Sequence, residues 1–144
     1  MTHMTEQIGD LIVSIYKETK TKTERNLKRY GIGMGQLQIL MLFYTNLEKS
    51  YSQNDFVNLL NIDKGNISRS VKKLIDKGYL KHDSERSNQI LLTGEGLELK
   101  KVIITSFIMQ HQSMIVGIDE VELENTVKTL SKISSNLKKN NLKL

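Results

Sequence analysis

A chain of 144 residues that contains no proline is free to run long, unbroken helices. Average usage of about 5% would give roughly seven prolines, each removing an amide donor and clashing with the preceding turn. Three Phe, no Trp and few alternating apolar runs point the same way, to a mostly helical fold with little sheet. The length suits one domain, or one domain with long appendages. Apolar residues at 38% supply enough material for a core.

Composition removes several function classes. There is no Cys, so disulfide frameworks, Cys-ligated zinc, iron–sulfur clusters and thiol redox sensing are excluded. His3, His82 and His111 are not at helical metal-ligand spacing, and no metal or cofactor is expected. A Gly-rich phosphate loop and a paired nucleophile and base are absent, which argues against an enzyme. No apolar run reaches the roughly 18 residues of a membrane span, and Met1 to Asp10 lacks the apolar stretch of a signal peptide. A soluble cytoplasmic protein is the expectation. The net charge of +5 is a weak pointer to nucleic acid or another anionic surface.

The spacing of apolar residues predicts a first helix over Thr5 to Tyr30, with Ile8, Leu11, Ile12, Ile15, Tyr16, Thr19, Thr23 and Leu27 on one stripe, ended by Gly31 and Gly33. Met34 to Asn46 is apolar almost all round, which marks a central helix. Ser52 to Asp55 reads as a capping box opening a third helix, Gln53 to Leu60, with Phe56, Val57, Leu59 and Leu60 buried. Asn61 to Asp63 is a turn, with Asp63 placed to cap a fourth helix, Lys64 to Lys77, that Gly78 ends. Tyr79 to His82 and Gln89 to Leu92 read as the strands of a hairpin. Thr93 caps a long fifth helix to about Val116, Gly117 breaks it, and Asp119 with Glu122 opens a sixth. The tail, Lys138 to Leu144, is basic and expected to fray.

Two short helices joined by a three-residue turn and followed by a hairpin form a winged helix-turn-helix. On the fourth helix, at about 100° per residue, Ile67, Val71, Leu74 and Ile75 share one face. Arg69 lies about 200° from Ile67, flanked by Gly65, Asn66, Lys72 and Lys73. Such a face suits a major groove: Arg takes guanine O6 and N7, Asn takes adenine N6 and N7, and Lys neutralises phosphate. From Lys64 to Arg86 there are seven basic and three acidic residues. A solvated helix face carries the same charge pattern, and charge alone does not separate the two. Arg86 near the hairpin tip either reaches a minor groove or pairs on the surface with Asp83 or Glu85.

From Ser52-Gln53-Asn54-Asp55-Phe56, through Ile62-Asp63-Lys64-Gly65-Asn66-Ile67-Ser68-Arg69-Ser70-Val71-Lys72-Lys73-Leu74 and Gly78-Tyr79-Leu80, to Leu92-Thr93-Gly94-Glu95-Gly96, the chain resembles the multiple-antibiotic-resistance regulator (MarR) family of dimeric winged-helix repressors. The resemblance runs along essentially the full chain. The family's wing usually begins Asp-x-Arg and is longer, whereas here two residues separate Asp83 from Arg86. The resemblance implies that Lys64, Asn66, Ser68, Arg69, Lys72, Lys73 and Arg86 contact double-stranded DNA at a pseudo-palindromic operator. It also implies a homodimer built on the first, fifth and sixth helices. That agrees with the surplus apolar stripes, Ile8, Ile12 and Ile15 on one helix and Leu123, Val127, Leu130 and Leu137 on another. Antiparallel packing within one chain is the alternative use of those stripes. Many family members bind small phenolic or aromatic acids in a crevice between dimer helices and DNA-binding lobe, where Tyr16, Tyr30 and His111 are the candidates here.

The expected organisation is one structural domain with a mostly α fold and a small β-hairpin wing. Residues 1–33 form an N-terminal dimerisation helix, 34–92 the winged helix-turn-helix lobe, and 93–144 the C-terminal dimerisation helices. The leading functional expectation is a homodimeric, sequence-specific transcriptional regulator, a repressor released by a small aromatic or anionic ligand. The alternative is a winged-helix architectural or protein-interaction module without an operator of its own.

Overall fold

Helix α2, Met34–Thr45, carries Leu37, Ile39, Leu40, Phe43 and Tyr44 inward, and four of these are at most 3% exposed. A helix so apolar is stable only when other elements cover it on several sides. In the computed structural model, which describes residues 2–139, the cover comes from α1 (Thr2–Leu27), α3 (Gln53–Leu60), α4 (Lys64–Asp76), a hairpin of β1 (Leu80–His82) and β2 (Ile90–Leu92), and α5 (Gly94–Met114). Helix α6, Glu120–Lys139, completes the order. The fold is the mostly helical winged arrangement expected. The chain divides into two compact units, one up to Phe107 and one from Ile108 on. Of the basic tail, residues 140–144 lie outside the described part.

Local chemistry accounts for the boundaries. The last turn of the first helix tightens into a 3-10 turn, Lys28–Tyr30, and Gly31 follows at φ 72°. Ser52 accepts from the Asp55 amide while the Asp55 carboxylate accepts from the Ser52 amide, closing the capping box. The turn between α3 and α4 pivots on Asn61, in the left-handed region at φ 53°. Asp63 caps α4, and Gly78 at φ 83° ends it. Asp119 accepts from the Glu122 amide at 2.8 Å to open α6.

One expectation fails on α3. Phe56 is fully buried and Val57 and Leu60 half-buried, but Leu59 is 57% exposed. At about 100° per residue Leu59 falls on the opposite side of Phe56 from Val57 and Leu60. An eight-residue helix buries only a narrow stripe, and this one is centred between Phe56 and Val57.

The hairpin pairs Leu80 with Leu92, Lys81 with Leu91 and His82 with Ile90. A third chain segment joins it: Tyr51 and Ile90 exchange amide hydrogen bonds at 3.1 and 2.7 Å. Tyr51 also packs edge-on against Phe43 at 4.9 Å and beside Phe56 at 5.3 Å, so one aromatic cluster ties wing, α2 and α3 together.

The wing is closed at its base by Thr93. Its amide donates to the Tyr79 carbonyl, its hydroxyl donates to the Gly78 carbonyl at 2.6 Å, and the same oxygen accepts from the Gly96 amide at 3.0 Å. The buried Tyr44 hydroxyl donates to the Gly96 carbonyl at 2.8 Å, and burial raises the pKa of this phenol. A Cβ at Gly96 would run into the backbone carbonyl of Tyr79 and the Leu92 side chain. Gly96→Ala is therefore expected to cost about 1–3 kcal/mol, as overpacking does. Urea unfolding checks this: the midpoint falls while the slope stays unchanged.

Candidate nucleic-acid interface

Helix α4 has two distinct sides. Ile67, Val71 and Leu74 are at most 1% exposed, and Ile75 is half-buried. Ser70, on the flank, is also buried and accepts from the Gln36 side-chain amide of α2 at 3.1 Å. Gln36 in turn accepts from the Gly33 amide at 2.7 Å. Lys64, Gly65, Asn66, Ser68, Arg69, Lys72 and Lys73 are all exposed. The structure thus brings six of the seven expected DNA-contacting residues onto one open helix surface.

The first turn of that surface is an ordered polar cluster. Asp63 Oδ1 accepts from the Asn66 backbone amide at 2.9 Å, and Oδ2 accepts from the Asn66 side-chain amide at 2.6 Å. Asn66 Oδ1 accepts from Arg69 Nη2 at 2.5 Å. Asp63 is held below the ordinary carboxylate range, chiefly by the Asn66 amide; desolvation opposes this, and the Asn66 side chain and Arg69 cation add to it. Lys72 pairs with Asp76 at 2.9 Å, an exposed i,i+4 bridge of small energetic weight.

The seventh residue, Arg86, lies at the wing tip, 65% exposed, with its Nε 3.7 Å from Asp83. Asp83 is itself turned to the tip backbone, accepting from the Glu85 amide at 2.9 Å. The short tip therefore takes the surface-pair arrangement that the sequence left open.

Two clefts flank α4. The larger, about 610 Å³, lies among α1, the Gly31–Gly33 turn, α2 and α4, with Glu24, Arg25, Lys28, Gln36 and Lys73 on its walls. Three cations face one carboxylate there, so the cleft is suited to an anion. The smaller, about 370 Å³, is lined by Ser52, Gln53, Asn54, Lys64, His82, Ser87 and Asn88. His82 Nδ1 donates to the Ser87 carbonyl at 3.1 Å. Apart from Lys64, none of these is readable as a site residue from the sequence. They lie on three separate segments, and only the docking of the wing against α3 assembles them.

Of the three residues proposed for a ligand crevice, Tyr16 and Tyr30 lie in the first unit and His111 in the second. Tyr16 is 59% exposed on α1. Tyr30 is half-buried, its hydroxyl accepting from Arg29 at 2.6 Å and its carbonyl from the Tyr79 hydroxyl at 3.3 Å. His111 is exposed and belongs to the second unit. Among the described residues no helix is long and apolar enough to cross a membrane.

Known proteins share this fold. Residues 30–87 match the model of the MarR family. The chain is 25% identical over 129 residues to the HTH-type transcriptional regulator BilQ of Clostridioides difficile (strain CD3), covering 87% of this chain and 86% of that one. A MarR transcriptional regulator from Methanosarcina mazei Go1 superposes with a TM-score of 0.77 at 28% identity, over 93% of this chain and 91% of the other. MepR of Staphylococcus aureus, solved as a DNA complex, gives a TM-score of 0.70 at 25% identity, over 88% and 94%.

The Asp63 cap has a pH signature. Its pKa is lowered by folding, so its stabilisation is present above the unfolded carboxylate value and is lost as pH falls through the folded one. Asp63→Asn keeps a capping oxygen but does not titrate. Thermal melts are expected to show wild type above this variant by a constant margin down to about pH 5, and a shrinking margin toward about pH 3.

Proposed function

We propose that the chain is a DNA-binding transcriptional regulator of the MarR family, which its residues 30–87 match, and that it represses its targets as a homodimer released by a small anionic aromatic. The observation that carries the DNA half of this reading is α4. Its apolar side is sealed against the core, while Lys64, Asn66, Ser68, Arg69, Lys72 and Lys73 stand in solvent. In a major groove Arg69 takes a base edge, and Lys64, Ser68, Lys72 and Lys73 take phosphates. Arg86, held by Asp83 only at 3.7 Å, exchanges that partner for the minor groove. Such a regulator works in the cytoplasm, beside the DNA it reads.

Dimerisation is supported by what stays uncovered. Ile8, Ile12 and Ile15 on α1 and Val127, Leu130 and Leu137 on α6 are all at least 40% exposed, with Leu123 half-buried. Apolar patches of this kind mark association sites, and a twofold pair of copies covers both stripes. Leu130→Asp with Leu137→Asp places charge in that seam, at several kcal/mol per uncompensated ion. Sedimentation is expected to give a dimer for wild type and monomer or aggregate for the double variant. A wild type that sediments as a monomer at micromolar concentration refutes the dimer.

Two reading heads in a dimer call for half-sites about one helical turn, roughly 10–11 bp, apart. Selection of bound genomic fragments, then footprinting, tests this. Arg69→Ala is expected to cost about 1–3 kcal/mol and relax one base pair per half-site. Lys73→Ala is expected to weaken all sequences alike and to lower the salt slope by about one for each phosphate it no longer neutralises. A flat salt slope without dyad symmetry in the footprint refutes symmetric docking.

Release by ligand is supported by the cationic cleft beside α4, where Arg25, Lys28 and Lys73 converge. An anionic aromatic seated there engages a lysine of the reading helix and competes with its phosphate. A 100-fold loss of DNA affinity needs about 2.7 kcal/mol of differential binding. Titrating salicylate-like acids into the protein–operator complex is expected to dissociate it. A complex that survives millimolar ligand removes this mode of release.

A further inference from the structure

We propose that Asp63, Asn66 and Arg69 act as one reading unit, in which Asn66 aims the Arg69 guanidinium at a single guanine and reads no base itself. This rests on α4 being the base-reading helix. Asparagine reads adenine by presenting its carbonyl oxygen and its amide nitrogen together to N6 and N7. Here both ends of the side chain are already engaged, the nitrogen with Asp63 Oδ2 at 2.6 Å and the oxygen with Arg69 Nη2 at 2.5 Å.

The orientation of this amide follows from its neighbours. A carboxylate only accepts and a guanidinium only donates, so Nδ2 must face Asp63 and Oδ1 must face Arg69. Asp63 is in turn fixed by accepting from the Asn66 backbone amide at 2.9 Å. The backbone of the first turn thereby sets the direction of a side chain one turn further along. Gly65 leaves room for this: a Cβ there would lie 3.3 Å from Asp63 Oδ1 and 3.4 Å from Arg69 Nη1. The guanidinium therefore lies back over the first turn of α4.

Arg69 loses little by being held. A guanidinium has five N–H donors, and one given to Asn66 leaves four for the O6 and N7 of guanine. What it gains is order before binding, since a long side chain already confined loses less freedom when it docks. Asn66 and Asp63 are positioning residues, and specificity at this point of the half-site belongs to Arg69.

The test uses the full-length protein and an operator obtained by selection. Each base pair of a half-site is changed singly, and affinities are measured for wild type, Arg69→Ala, Asn66→Ala, Asp63→Asn and the Asn66→Ala/Arg69→Ala double variant. Arg69→Ala is expected to abolish preference at one G·C pair. Asn66→Ala and Asp63→Asn are expected to weaken preference at that same pair, by about 3–10-fold, and nowhere else. The double variant is expected to match Arg69→Ala. Replacing the guanine by 7-deazaguanine, which lacks the N7 acceptor, is expected to cost wild type about tenfold and Arg69→Ala nothing. Asp63→Asn retains a capping oxygen, so a cooperative melt lowered only by the margin predicted above separates lost aim from lost folding; Asn66→Ala decides the matter should that variant unfold. Relaxation at a second base pair in Asn66→Ala, or losses that add in the double variant, overturns the proposal. If Arg69→Ala leaves every preference intact, α4 is not the base reader, and that distinct outcome removes the underlying reading as well.

Discussion

The seat of α4 on α2 is the packing on which the rest of the molecule depends. It is unusually close at one point, where a Cβ on Gly35 would lie 2.8 Å from the Ser70 hydroxyl. The Gln36 amide then bridges that hydroxyl to the turn before α2, and Ile67, Val71 and Leu74 fill the space alongside. A buried polar pair with both partners satisfied fixes rotation about the helix axis more sharply than apolar packing does. That rotation decides which residues of α4 meet solvent. Arg69 and Asn66 point outward because Ser70 cannot leave Gln36 without stranding two buried polar groups.

The same logic extends to the wing. Two strands of three residues each are too short to be stable by themselves. They are held by the Tyr51 bridge, by the aromatic contacts of Tyr51 with Phe43 and Phe56, and by Thr93 at the base. The Leu-Thr-x-x-Gly motif thus has a structural reason: Thr93 ties the hairpin to the end of α4, and Gly96 admits the Tyr79 carbonyl. Helix α1 shares its residues between two tasks. Thr23 and Leu27 complete the core of the lobe, whereas Ile8 to Ile15 contribute nothing to it and remain bare.

Much of this is legible in the sequence because it is local. Caps, αL glycines and apolar periodicity are decided by neighbours within one turn, and Ser52, Asp63, Gly78 and Asp119 lie where those rules put them. The outward face of α4 follows from the 3.6-residue period alone, which needs no knowledge of the partner helix. The exposed stripes on α1 and α6 are visible for the same reason. Leu59 departs from expectation because apolar content, unlike period, says nothing about how wide a face a short helix buries.

Only the tertiary structure decided the pairings between distant segments and the state of individual side chains. The bridge of Tyr51 to Ile90, Gln36 on Ser70, and the cleft joining Ser52 to His82 depend on residues far apart in the chain, whose meeting no local rule encodes. The commitment of Asn66 to Asp63 and Arg69 is of another kind, since all three are sequence neighbours. The sequence by itself determined the helices, their ends and the face of α4 that meets solvent, through backbone preferences and burial. Which groups on that face are free to act was decided by hydrogen-bond geometry, where ångström distances choose among partners that composition leaves equivalent.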